Sequence, residues 1–422
     1  MTTTQAPSKS RQRLLDALNH RQPDRIPVDF GASPVTGIHV SCIAELRDHF
    51  GLDKHPVKVT EPFQMLGEVE DDLRDALGSD VKGVPGRKVM FGFENKNWKP
   101  WRLNGLEVLV PGDFNVTVAD NGDILMHPQG DVTAPPSARM PKGFHFFDAI
   151  IRQNHFDPEH LDPADNLEEF GPMSDSAIDD IAADVKAAND GEYALFGNFG
   201  GCALGDIALV PAVNLKDPRG IRDVAEWYVS TRSRRDYIHK IYERQVEFAL
   251  GNLERIHARI GDSIDIIFLC GTDFGTQSSS FCSVATFNEL WFPYYKQMCD
   301  WIHGHTSWKI FKHTCGSAAR FFDSMVDAGI DIVNPVQCSA VGMEPEQLKA
   351  KYGDRLTFWG GGVDTQQVLP FGTPEQVREQ VLRRCEIFAP GGGFVFNTIH
   401  NIQAETPVAN ILAMVNALRS LE

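Results

Sequence analysis

The chain has no apolar run approaching the 18 or more residues of a membrane-spanning helix. Met1 to Lys9 lacks the apolar stretch of a secretory signal and reads as a loose polar tail. Basic charge is in deficit, with 40 Lys and Arg against 57 Asp and Glu and a net charge of -17, which argues against a phosphate-backbone partner. The eight cysteines include no C-x-x-C pair, and many sit in apolar stretches such as Phe268-Leu269-Cys270. They are expected to be reduced thiols of a cytoplasmic protein, not a disulfide framework. No G-x-x-x-x-G-K-[ST] phosphate loop and no G-x-S-x-G elbow appears, which leaves nucleotide cradles and hydrolase triads without support. What remains is ordinary globular composition, 42% hydrophobic and 23% charged, on 422 residues. A chain of that size can bury roughly three quarters of its unfolded surface.

Eight strand-like runs recur, most of them apolar and six of them ending in Gly, Asp or His. They are 25–31, 80–84, 193–200, 264–273, 308–316, 331–337, 356–364 and 393–400. Helical periodicity marks 11–20, 221–260 (long enough for two helices), 285–305, 318–328, 344–352, 374–388 and 407–421. Thr373-Pro374-Glu375-Gln376 has the form of an N-cap followed by Pro at the first helical position. Strands alternating with helices predict a parallel sheet, and eight such units predict closure into a (β/α)8 TIM barrel, with an open doubly wound sheet as the competitor. The barrel is expected to form a single domain over 10–422. Residues 88–147 break the alternation, being rich in Gly, Pro and aromatics, and Asn121-Gly122 is a hairpin turn signal. This stretch is expected to be a β-hairpin insertion after the second strand. It is either decoration or a lid that brings Trp98, Trp101, Phe144, Phe146 and Phe147 to the barrel mouth.

Active sites of such barrels gather at the C-terminal strand ends. There the sequence places Asp80, Asn198, Asp273, His313, Cys315, Gln337, Asp364, Asn397 and His400. Polar groups in a parallel sheet buried on both faces need a partner, a ligand or a metal. In Lys312-His313-Thr314-Cys315-Gly316, alternation turns His313 and Cys315 to the same side. Imidazole and thiolate suit Zn2+, and a catalytic zinc uses three protein ligands, with His400 the best third candidate and Cys338 an alternative. The plain alternative is a hydrogen-bonded His beside a buried thiol. Asp273, Asp364 and Asp80 are candidates for acid–base or substrate-orienting work, against a loop-capping role for the first two. Asn198, Gln337 and Asn397 are candidate contacts to cofactor or substrate.

With both termini included, the pattern resembles the uroporphyrinogen decarboxylase superfamily. Arg11 to Leu18 with Pro23 to Val28 resembles its first helix and strand, Gly360 to Gln366 its penultimate strand, and Gly392 to Ile402 followed by Glu405-Thr406-Pro407 its last. The resemblance implies a (β/α)8 barrel and suggests a homodimer. Decarboxylases of this superfamily hold porphyrinogen carboxylates with arginines just after the first strand, whereas Phe30 to Gly37 contains none. H-x-C on a mid-barrel strand is similar to the zinc site of the corrinoid-dependent methyltransferase branch. His400 stands where that branch has a Cys, and Gln337 lies near where methionine synthase has a Glu. The resemblance therefore implies a zinc enzyme moving a methyl group between a small molecule, such as a methoxylated aromatic, and a corrinoid (cobalamin) on a separate partner protein. The alternative is a metal-free decarboxylase or lyase acting on a smaller acid, with Asp80 or Asp273 as proton donor.

Overall fold

The computed structural model describes residues 8–422. Most of the expected tail lies outside them. Its last two residues belong to the first helix, Lys9–Leu18, because the Ser8 hydroxyl caps the Arg11 amide at 3.2 Å.

Seven parallel strands form one sheet in the spatial order Phe394–Val395, Thr357–Trp359, Ile332–Asn334, Lys309–His313, Ile266–Cys270, Ala194–Asn198, Val81–Pro85. Closure comes from the extended segment 27–30. The Asp29 amide donates to the Phe396 carbonyl and the Phe396 amide to Pro27. On the other side the Asp80 amide donates to Val28. The segment thus lies between the last and first strands of the sheet and completes a TIM-barrel ring, as the alternation predicts.

The lumen is filled by side chains at alternate positions: Val81, Ala194, Phe196, Ile266, Phe311, Ile332, Trp359 and Val395. Phe196, Phe311 and Trp359 meet edge to face with centroids 4.8–5.9 Å apart. Leu14 and Leu18 of the first helix join this cluster and plug the barrel from its N-terminal face. Burial of each such leucine contributes about 1.5–3 kcal/mol.

Arg13 on the same helix reaches Asp80 at 2.5 Å, and Arg25 reaches it at 3.1 Å. Asp80 is fully buried and immediately precedes its strand, so it sits at the N-terminal end of the barrel. This corrects the expectation of a catalytic Asp80. Its carboxylate staples the plugging helix to the sheet and lies at the face opposite the mouth.

Most predicted helices form. The 221–260 region is two helices, Val224–Ser233 and Arg235–Ile260, and Pro374–Phe388 begins with a full Thr373/Gln376 capping box. The sequence reading passes over Val40–His49, Asp71–Leu77 and Asp175–Ala188.

The β-rich region is larger than a hairpin. One four-stranded sheet combines Leu66–Gly67, Val57–Glu61, Leu106–Val110 and Lys99–Leu103, and therefore begins before the Val81 strand. A second sheet runs Val116–Val118, Ile124–Met126, Ala138–Met140 and Asp148–Ala149. Its first two strands pair antiparallel around Asn121-Gly122, where Gly122 takes a φ of 87°. Trp101 packs on Phe114 and Phe147 is wholly buried, so these two are structural. Phe144 and Phe146 stay exposed on either side of His145, which meets the His39 side chain and Glu405. Glu405 follows the last strand, so this edge of the insertion borders the C-terminal face of the barrel.

Candidate active site

The aromatic layer of the lumen dictates the layer above it. Two residues beyond Phe196, Phe311, Ile332 and Val395 come Asn198, His313, Asn334 and Asn397, a ring of amides and one imidazole on an apolar floor. Each is tied down. Asn198 donates to the Ala32 carbonyl at 2.9 Å, and Asn397 to the Asp29 carbonyl at 2.7 Å. Asn334 donates through Nδ2 to the Trp359 carbonyl at 2.9 Å. Its Oδ1 therefore faces His313 Nδ1 at 2.7 Å as an acceptor. That bond puts the proton of the neutral imidazole on Nδ1 and leaves the Nε2 lone pair free. Nε2 lies 3.3 Å from the Cys315 Sγ.

His313, Cys315 and His400 each bring a donor atom within 4.8 Å of the others. Two ligands on one tetrahedral zinc stand about 3.5 Å apart when Zn–S and Zn–N are about 2.3 and 2.0–2.1 Å, so the His313/Cys315 pair has nearly the required spacing. His313 also has the outer hydrogen bond that ligating histidines show. His400 is near enough but turned differently. Its Nδ1 accepts the Asn401 amide at 2.8 Å, so the neutral ring carries its proton on Nε2. As a ligand, His400 must exchange that amide bond for the metal. With that one adjustment the donor set fits a zinc ion.

Burial sets the electrostatics. It lowers the pKa of His313 and of His400 to about 4, with the neighbouring ring adding to the effect on His400. Both are neutral near pH 7. Burial, reinforced by Asp273, holds the Cys315 thiol well above its ordinary value. A nearby cation would reverse that preference. Asp273 accepts the Cys315 amide at 2.6 Å and stands 3.9 Å from His313 Nε2, and burial raises its carboxyl. Gly275 and Gly316 permit this approach, since a Cβ on either would collide with the other's backbone.

The remaining predicted residues separate. Gln337 Oε1 accepts the Gly316 amide at 2.6 Å and so steadies the loop carrying Cys315. Asp364 Oδ1 accepts the Gln366 and Gln367 amides at 2.8 and 2.7 Å, which is the loop-capping role. Cys338 Sγ turns to the Val336 carbonyl, away from the cluster.

Three residues escape the sequence reading. Asn334, whose strand was credited only with Gln337, is found by alternation from Ile332. Asp29 in the closing segment accepts Ala32 N and Trp359 Nε1 at 3.0 Å each and is pushed up to about 6 by burial. Asp206 carries no local pattern. It sits in a loop against Gly271, where burial, and then Asp273, bring it to about 6.

A sequence model of the uroporphyrinogen decarboxylase (URO-D) family matches residues 222–421. Over that stretch, a little under half of the chain, it is similar to the uroporphyrinogen decarboxylase family. Among curated relatives, the uroporphyrinogen decarboxylase of Psychromonas ingrahamii is 29% identical over 109 residues, 25% of this chain and 28% of that one. The Coxiella burnetii enzyme is 24% identical over 104 residues, 25% and 27% of the two chains. The chain thus spans little more than a quarter of the length of these relatives. A solved methyltransferase from Methanosarcina mazei shares the fold over 98% of this chain and 99% of its own, with a TM-score of 0.53 and 14% identity. Among the described residues, no helix is long and apolar enough to cross a membrane.

Proposed function

We propose that this protein is a zinc-dependent methyltransferase that moves a methyl group between a small molecule and a corrinoid on a separate partner protein. The observation that carries the reading is the meeting of His313, Cys315 and His400 within 4.8 Å at the C-terminal face of the barrel. Zinc bound by these three would hold a substrate thiol as thiolate or draw electrons from a methoxy oxygen. The chain's own residues do the rest. Asn334 fixes the His313 ring so that Nε2 faces the cluster. Gln337 and Asp273 hold the Gly316 and Cys315 amides and thereby set the position of the thiol. Asp273, raised by burial, is the group placed to hold or pass a proton beside the cluster. Asn198 and Asn397 wall the ring around it. The exposed Phe144 and Phe146 suit an apolar donor such as a methoxylated aromatic, with the β-rich region over a single barrel domain acting as lid. The test mixes the protein with a cob(I)alamin carrier protein and candidate methyl donors. The absorption spectrum of the methylated corrinoid should appear with one of them. No change with any donor, and none in reverse with methylated carrier plus thiols, refutes methyl transfer.

One observation favours a second reading, a metal-free lyase acting on a smaller acid. As placed, His400 spends its Nδ1 lone pair on the Asn401 amide and carries its proton on Nε2, so neither nitrogen is free to ligate. In that reading Asp273 is the proton donor, and Asp80 is removed from the role by its position. Purified protein with no affinity for zinc would favour it.

A further inference from the structure

A cavity of about 530 Å3 lies between the barrel loops 31–37 and 83–88 and the sheet containing Val57–Glu61. Its volume is that of a small-molecule site. Leu66, Val69, Val89 and Met90 supply apolar wall.

The charges on its wall are almost all neutralised within the protein. Glu68 pairs with Lys58 and Glu70 with Arg47, each at 2.9 Å. Asp71 pairs with Lys82 at 2.8 Å, and Arg74 spends its guanidinium on the Val81 and Val69 carbonyls. Two charges are left over, the exposed Lys88 and the half-buried Glu61. Among the described residues, Glu61 has no cationic partner within ion-pair distance. Its two oxygens accept only the Phe63 and Gln64 amides, at 3.1 and 2.8 Å, and a longer bond from the Gln64 side chain. Those amides fix the direction of the carboxylate. An anion enclosed without a counter-charge is costly, and burial accordingly raises the Glu61 carboxyl.

The position is not remote from the chemistry. Gln64 Oε1 accepts from Asn401 Nδ2 at 2.8 Å, and the Asn401 amide donates to His400 Nδ1. Asn401 also holds the Pro34 carbonyl and the Gly37 amide, both on the cavity wall. A short chain of hydrogen bonds, Glu61 to Gln64 to Asn401 to His400, therefore leads from the cavity wall to the cluster.

We propose that this cavity binds a small free organic cation, a protonated amine with an apolar body, whose ammonium group pairs with Glu61. The amine supplies the missing counter-charge, and Leu66, Val69, Val89 and Met90 receive its hydrocarbon. The assignment goes beyond methyl transfer and does not depend on it.

The test is calorimetric titration of the full chain at neutral pH with n-butylammonium, using n-butanol and n-butyrate as probes of equal size. Butylammonium should bind at least tenfold more tightly than either. Glu61→Gln should weaken it by tenfold or more. Val89→Trp, which fills the cavity and leaves Glu61 untouched, should abolish it, so the site can be judged even where the first variant folds poorly. Cys315→Ala should leave amine binding unchanged, which separates this site from the zinc reading. Equal affinity for all three probes, preference for butyrate, no binding of the amine, or undiminished binding in Val89→Trp would each overturn the assignment.

Discussion

Asn334 offers the sharpest handle on the site because its two ends do different work. Oδ1 fixes the His313 tautomer at 2.7 Å, and Nδ2 satisfies the Trp359 carbonyl at 2.9 Å. Asn334→Leu removes both bonds while keeping the same number and branching of side-chain heavy atoms. Loss of an outer hydrogen bond to a ligating His weakens metal binding about 10–100-fold, roughly 1.4–2.8 kcal/mol. Stranding the buried imidazole N–H and the carbonyl costs about 1–3 kcal/mol each in stability. Asn334→Asp keeps an acceptor for His313 and loses only the donor to Trp359. Zinc affinity, measured by competition with a chromophoric chelator, should therefore fall 10–100-fold in the Leu variant and hold in the Asp variant. Thermal melts in excess chelator should show both variants destabilised. If the Leu variant binds zinc within threefold of wild type, or the Asp variant loses as much as the Leu variant, His313 does not ligate through Nε2 and the reasoning fails.

Three further outcomes follow from the structure. Cys315→Ala should purify with its fold intact by circular dichroism but without zinc by elemental analysis; retained stoichiometric metal would exclude the thiolate as a ligand. Asp80→Ala leaves the Arg13 guanidinium with Asp24 as its acidic partner and should cost about 1–3 kcal/mol in denaturant unfolding. It should leave the zinc affinity of the folded protein unchanged, whereas a catalytic Asp80 would act at the other face. Asp29 is pushed up to about 6 from an unfolded value of 3.8, so the folded state prefers its protonated form. Its contribution is most favourable below about pH 4 and is lost as pH rises through 6, by about 3 kcal/mol in all. The stability difference between wild type and Asp29→Asn should shift by most of that amount, about 2.4 kcal/mol, between pH 4 and pH 7; a constant difference across that range would show that folding does not shift the Asp29 carboxyl.

Periodicity alone made the barrel legible, because strands buried on both faces must be apolar runs and the helices between them must be amphipathic. Alternation also brought His313 and Cys315 to one side, and the last strand's tip brought His400 to them. The failures have local causes. Asp80 opens its run and so lies at the strand end away from the mouth, and grouping it with the C-terminal ends was an error of direction; its two arginine partners are supplied by the first helix and the segment after it. Asp364 was ambiguous between chemistry and capping, and the amides of Gln366 and Gln367 decide for capping. Asp206 and Glu61 sit where only long-range packing gives them meaning. The β-rich region was underestimated because Val57–Glu61 precedes the strand it was expected to follow, and pairing with Leu106–Val110 is invisible to a local window.

The seam of the barrel has a consequence for how the molecule is made. Val28 is bridged to Phe396, so the two sides of that joint lie far apart along the chain and the first is made long before the second. Segment 27–30 must wait, held by its contacts with Ser79 and Asp80, until the strand Phe394–Val395 and the residue after it have been made. Ring closure is then the late, long-range event of folding, the kind of contact that slows assembly most.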